Sequence, residues 1–240
     1  MLGLGTSVIK GGGRASNLGI VTDNLVLKHN YDTGVVHQVS TGAAFFNGSS
    51  DYIQLPSKFN HKKITVSAWI YVTTGGTTSV IYESRDSTNQ GFLFYVDSNN
   101  KARIKAMGNV DLTGTAGLPV NNWVHACFTY DDSNPSSEGL KLYENGVLMG
   151  AASEGDDVSL TDSNNARIGG GVLTASGYYF DGYICNVGIW DEVLTQPQIK
   201  SIMWKNYADL TSSETADLVS WYNLSENAND NHGSNNGTLA

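Results

Sequence analysis

The chain has 240 residues with 27 Gly and 12 Tyr, 15% charged residues and a formal net charge of −9. That composition suits many short strands joined by polar turns and excludes a helical bundle. The 14 Lys and Arg are scattered, without the cation cluster that phosphate binding needs, so no nucleic-acid partner is expected. No stretch reaches the length of a membrane span, so no membrane contact is expected either. Met1 to Lys10 is too short and too glycine-broken for a signal peptide, which makes a cytosol-like compartment the expected place of synthesis.

Residues 1–16 read as a flexible Gly-rich N-terminal arm, with Gly11 to Gly13 and nothing able to bury a face. Its Leu2, Leu4, Val8 and Ile9 exceed what a solvated tail needs, which marks an assembly segment that docks on a neighbour; a frayed terminus is the alternative. Residues 17–240 read as a single domain.

Asn24 to His29, Val35 to Val39 and Gly42 to Phe46 are expected as short strands, followed by a turn cluster from Gly48 to Asp51 and a stop at Pro56. From Ile64 to Val72 the residues alternate. Ile64, Val66, Ala68 and Ile70 form a strongly apolar face, with Thr65, Ser67, Trp69 and Tyr71 opposite. Ser79 to Ser84 and Gly91 to Val96 follow as strands, and Lys101 to Ala106 returns from a hairpin loop with Arg103 and Lys105 on a solvated side.

The next strand carries Trp123, His125 and Phe128, and Leu140 to Tyr143 is joined to Val147 to Met149 by Glu144-Asn145-Gly146. Asn-Gly between apolar runs signals a hairpin, because both residues accept positive φ. Glu154 to Asn165 is an acidic connection, Ala166 to Gly169 a short strand, and Gly177 to Trp190 the longest strand. Ile184 and Val187 are three apart, which predicts a bulge near Cys185 or Asn186. Thr195, Pro197 and Gln198 open a short helix whose Ile199, Ile202 and Met203 face the core. Asp217 to Leu224 is the last strand, before a polar tail. Cys127 and Cys185 fall in strands and are expected as free thiols, with a cross-strand bridge as the alternative.

Several of these segments, taken in order, resemble the laminin-G-like branch of the concanavalin A-like lectin/glucanase domains. They are Ala44 to Gly48 with Asp51 to Ile53, Ile64 to Ile70, Trp123-x-His125, Thr129 to Asp131, Lys141 to Gly146, Phe180 to Ile184 and Val187 to Trp190. The resemblance covers roughly residues 42–205. It implies an all-β, two-sheet antiparallel jelly-roll sandwich with one short helix. Leu218 to Leu224 departs from the family's common order, which fits a permuted edge strand or pairing beside the first strand.

An enzyme is not expected. Glycoside hydrolysis needs two carboxylates flanking the scissile bond, and no strand here carries such a pair; no nucleophile or phosphate-loop motif occurs. His125 reads as a strand histidine hydrogen-bonded to a neighbour. Some relatives of the resembled family bind calcium at the sandwich rim, which nominates Asp51, Asp131, Asp132, Asp181 and Asp230; turn capping is the plainer role for each. Tyr178, Tyr179, Trp190 and Trp204 could supply an aromatic glycan face. The resemblance, with the arm and the acidic composition, implies a non-enzymatic virion protein of a tailed phage. It would be a capsid decoration or head or tail fibre module at the virion surface, attached through its arm to other virion proteins or sister subunits and facing a host glycan. The alternative is a calcium-dependent, glycan-binding, lectin-like adhesin.

Overall fold

The computed structural model of the chain describes residues 27–30, 35–56, 59, 62–85, 91–106, 110–134, 138–153, 166–172 and 178–240. The arm, with Leu2, Leu4, Val8 and Ile9, and the acidic connection 154–165 lie outside them. The strands in order are β1 (Leu27–Asn30), β2 (Val35–Gln38), β3 (Ala44–Asn47), β4 (Ile53–Gln54), β5 (Lys63–Val72), β6 (Ser79–Arg85), β7 (Gly91–Val96) and β8 (Ala102–Ala106). There follow β9 (Val110–Thr113), β10 (Trp123–Asp131), β11 (Leu140–Glu144), β12 (Val147–Ala152), β13 (Arg167–Ile168), β14 (Asp181–Trp190), helix α1 (Gln196–Ile202), β15 (Leu218–Tyr222) and β16 (Thr238–Leu239).

Two seven-stranded sheets stack face to face. The first has the order β12-β11-β10-β5-β14-β15, with β3 also paired to β14; the second runs β16-β4-β13-β6-β7-β8-β9, and β1 and β2 make a separate pair. This is the expected antiparallel sandwich with one short helix. Between the sheets, Ile64, Val66, Ala68 and Ile70 of β5 are buried, and Phe128 of β10 meets Phe92 and Phe94 of β7 at 5.5 and 5.3 Å. Burial of this set on folding supplies the dominant stabilising term.

The opposite side of β5 is also buried: Thr65, Ser67 and Trp69 are 0, 1 and 6% exposed. Here α1 lies against the outer face of the first sheet, its Ile199 and Ile202 packed with Cys127, Trp190 and Trp221. Thr65 is satisfied there, donating to the Glu192 carbonyl at 2.7 Å and accepting from the Leu194 N–H at 2.9 Å. The helix starts as its residues dictate, with Gln198 Oε1 accepting from the backbone N–H and the hydroxyl of Thr195.

The predicted bulge is present: the β14–β5 register shifts between Cys185 and Gly188, and Asn186 has φ 49°. At the Asn-Gly turn, Asn145 and Gly146 have φ 49° and 73°. The strand expected from Gly177 begins instead at Asp181 and equals β5 in length at ten residues. Residues 178–180 serve as a strap. The Val80 N–H donates to the Tyr178 carbonyl in the second sheet, and the Gly48 N–H donates to the Phe180 carbonyl beside the first. β15 is an edge strand on the second half of β14, while β3 takes the first half. The tail is folded, with β16 closing the second sheet on β4.

Candidate functional site

Cross-strand register decides which outward side chains share a line. Tyr183 of β14 faces Phe45 on β3 and Tyr71 on β5, and Tyr71 faces Trp123 on β10. On this outer face Ile199 and Ile202 of the helix pack over Cys127 and Trp190, and Val39 and Trp204 pack around Trp69 and Cys185; the four rings lie beside that covered part. Their ring centroids follow one another at 5.1, 5.8 and 5.5 Å, with interplanar angles of 54°, 78° and 57°. Phe45 is 55% and Tyr183 38% exposed; Tyr71 and Trp123 are half-buried. At about 4.8 Å per strand the row is about 14 Å long. Gly182 makes it possible: at φ 142° its added Cβ would stand 1.9 Å from the Tyr71 carbonyl oxygen, so only glycine lets β14 lie this close to β5.

One step toward the rim the residues turn polar. Asn47 opposes Asp181, whose Oδ1 accepts from the Thr73 hydroxyl at 2.6 Å. Asn47 Oδ1 accepts from the N–H groups of Ser49, Ser50 and Asp51, and its Nδ2 donates to Asp51 at 2.8 Å. Gly48, at φ 71°, permits that turn. Phe45 also walls two clefts. One of about 320 Å³ is lined by Asp51, Tyr52 and Leu239, and the other, of about 260 Å³, by Leu224, Ser225 and Asn227. Aromatic faces beside carboxylate, amide and hydroxyl groups can take the C–H face of a sugar and its hydroxyls together.

The residues nominated from sequence are dispersed. Trp190 is 1% exposed, its indole N–H donating to the Glu214 carbonyl at 2.8 Å and its ring edge-on to Trp221, so it offers no face to a ligand. The capped helix buries it. Trp204 packs on Trp69 at 5.3 Å, on the helix side of the row. Tyr178 is 40% exposed but lies by β6 of the second sheet, and Tyr179 stacks at 6.4 Å on Tyr52, which lines the cleft beside Phe45. On the second sheet Arg103 and Lys105 both pair with Asp111, as a solvated face does.

Of the five aspartates, Asp51 and Asp181 share the rim beside Asn47. Asp131 and Asp132 sit at the far end of β10 from Trp123, where Asp132 pairs with Lys62 at 3.0 Å and Asp131 caps Ser133. Asp230 is enclosed by Ser220, Trp221, His232 and Asn235, and both of its oxygens are occupied by these donors. No group of three or more His, Cys, Asp or Glu able to hold a metal ion occurs among the described residues.

Buried titratable groups lie off the row. The Nδ1 of His125 has no hydrogen-bond partner, and the ring packs edge-on to Trp69 at 5.6 Å. Burial pushes its pKa down to about 3, so it is neutral. Glu144 is 8% exposed with Oε1 unpartnered, and burial pushes its pKa up to about 7. Cys127 and Cys185 are buried free thiols, as the strand positions suggested.

The row itself was not among the residues singled out from sequence. The available signal was one aromatic on the non-core side of each of four predicted strands, without the register that aligns them.

The sequence of residues 47–200 matches the Laminin_G_3 family of the concanavalin A-like lectin/glucanases superfamily. No curated protein sequence matches the chain. Among solved structures, a candidate carbohydrate binding protein from Bacteroides ovatus is similar at 21% identity and TM-score 0.63, over 82% of this chain and 57% of that one. This chain thus spans little more than half the length of that protein. The CBM40 of the Ruminococcus gnavus IT-sialidase, bound to α2,3-sialyllactose, is similar at 14% identity and TM-score 0.54, over 68% of this chain and 98% of that one. Domain 4 of an extracellular arabinanase from Geobacillus stearothermophilus, in complex with arabinotriose, is similar at 19% identity and TM-score 0.53, over 76% and 86%. At these identities the likeness is one of fold. With the family match covering well over half of its length, the chain belongs to the concanavalin A-like lectin/glucanases superfamily.

Proposed function

We propose that this chain is a non-catalytic glycan-binding module whose sugar lies on the row Phe45, Tyr183, Tyr71 and Trp123. The observation that carries the reading is the register that sets four partly exposed aromatics side by side, next to Asp181, Thr73 and Asn47. Support comes from two structures of the same fold, the CBM40 and the arabinanase domain, that hold sialyllactose and arabinotriose. The test is glycan-array screening followed by calorimetry on the full chain and on Tyr183→Ala. A folded variant is expected to lose about tenfold in affinity, about 1.4 kcal/mol. Unchanged affinity would remove the row from binding. A chelator arm tests the calcium-dependent form of the reading: loss of binding on chelation would assign a cation to Asp51 and Asp181.

The setting we propose is display on a virion, as a capsid decoration or head or tail fibre module, with residues 1–16 attaching it to other virion proteins or sister subunits. Its support is the arm's composition and the sequence resemblance described above. Solution mass tests it: an oligomeric full chain and a folded monomer lacking residues 1–16 would make the arm an assembly device, and two identical monomers would count against self-assembly through it.

A further inference from the structure

We infer that the glycan is neutral and bound as a single extended chain, neither an acidic sugar nor a crystalline polysaccharide face. This rests on the glycan-binding reading above and names its ligand class. The row of about 14 Å is longer than one sugar ring, so the ligand that fills it is an oligosaccharide or a polymer segment. Adjacent rings are tilted by 54°, 78° and 57°, which makes a ridged line and not a flat plane. A ridged line follows the contour of one chain. The flat face of a crystalline polymer needs coplanar rings to stack on.

Charge decides the rest. The residues two positions along the chain from the row are Asn47, Asp181, Thr73 and Asn121 on the rim side, and Ala43, Cys185, Trp69 and His125 on the helix side. The fixed charge among them is the Asp181 carboxylate, and Asp51 and Glu226 add one each at the two clefts beside Phe45. Among the described residues, neither cleft beside Phe45 is lined by Lys or Arg. Arg167 lies 4.0 Å over the Tyr52 ring, but its hydrogen bonds go to Gln54 and the Gly171 carbonyl. A carboxylate or sulfate on the sugar would meet like charge here, where a hydroxyl donates to the same oxygens. The formal charge of −9 adds a long-range repulsion of the same sign.

The experiment is affinity electrophoresis and calorimetry of the full chain at physiological salt. The probes are neutral arabino-, gluco- and galacto-oligosaccharides, polygalacturonate, sialyllactose and microcrystalline cellulose. Binding to at least one neutral probe is expected, with about tenfold loss in Tyr183→Ala, at least tenfold weaker binding of both acidic probes, and no pelleting with cellulose. Asp181→Asn, which keeps the acceptor for Thr73, is expected to narrow the gap between neutral and acidic probes. Tighter binding of an acidic probe, or cellulose pelleting, lost in Tyr183→Ala, would overturn the ligand class while leaving glycan binding in place. A gap untouched by Asp181→Asn would overturn the role of the rim charge. Silence toward every probe would overturn the glycan-binding reading itself.

Discussion

Replacing Asp230 should unfold the tail and weaken the whole domain, because its carboxylate is the hub of the C-terminal segment. Oδ1 accepts from the N–H groups of Trp221 and His232 at 3.0 Å each, and Oδ2 accepts from the Ser220 hydroxyl at 2.9 Å and the Asn235 N–H at 3.1 Å. Trp221 belongs to β15, so losing the hub frees an edge strand together with the tail that carries β16. A hydrogen bond to a charged group is worth about 1.5–3 kcal/mol, and bonds sharing one acceptor are not additive. Asp230→Ala strands these donors and is expected to cost about 4 kcal/mol; Asp230→Asn keeps one oxygen and should cost about 2 kcal/mol. For a domain of this size the alanine variant should melt about 10 °C lower.

The pH dependence has a definite sign. Burial raises the Asp230 pKa, and the N–H groups of Gly233, Trp221, His232 and Asn235 more than reverse this, so the net value is lowered. Its contribution is therefore complete above the unfolded carboxyl value of about 3.9 and is lost as pH falls through the lowered folded value. Scanning calorimetry of both variants, with and without calcium, checks this. An unchanged melting temperature in Asp230→Ala would refute the hub. So would a wild-type loss on chelation equal to that of the variant, since Asp230 would then act through a cation.

Glu144 behaves in the opposite sense. With its pKa pushed up to about 7, the folded state holds a proton that the unfolded chain releases near pH 4.3, so stability drains away as pH rises between those values. Glu144→Gln should flatten that slope and raise stability at pH 8 by on the order of 1 kcal/mol, read by urea titration at pH 5 and pH 8; parallel curves for the two proteins would contradict the assignment. Burial pushes the Cys127 thiol up and that of Cys185 up to about 12, so a thiol reagent should find neither in the native protein and both after denaturation. Rapid native labelling of either would show the first sheet opening.

Much of this molecule follows from local chemistry. The alternation from Ile64 to Ile70 requires a strand with its apolar side inward, Asn145-Gly146 requires a hairpin, Thr195 with Gln198 requires a helix start, and the Ile184 to Val187 spacing requires a bulge. Each rests on contacts within a few residues, where φ/ψ preferences and side-chain period act directly. The nominated aspartates are not fixed in this way: Asp residues cap turns by bonding nearby N–H groups, and nothing local says whether another carboxylate will arrive beside them.

The aromatics show the boundary most clearly. Trp190 and Tyr183 lie on the same strand with their side chains outward, yet one is sealed beneath α1 and the other is 38% exposed. The period of two, shifted once by the bulge at Asn186, sets both outward and cannot tell them apart, because what differs is where a helix from later in the chain comes to rest. By itself the sequence determined the strands, their turns and the inward face. Only the tertiary structure decided that Phe45, Tyr71, Trp123 and Tyr183 form one row, because strand register is set by pairing between segments far apart in the chain and by the fit of the buried face.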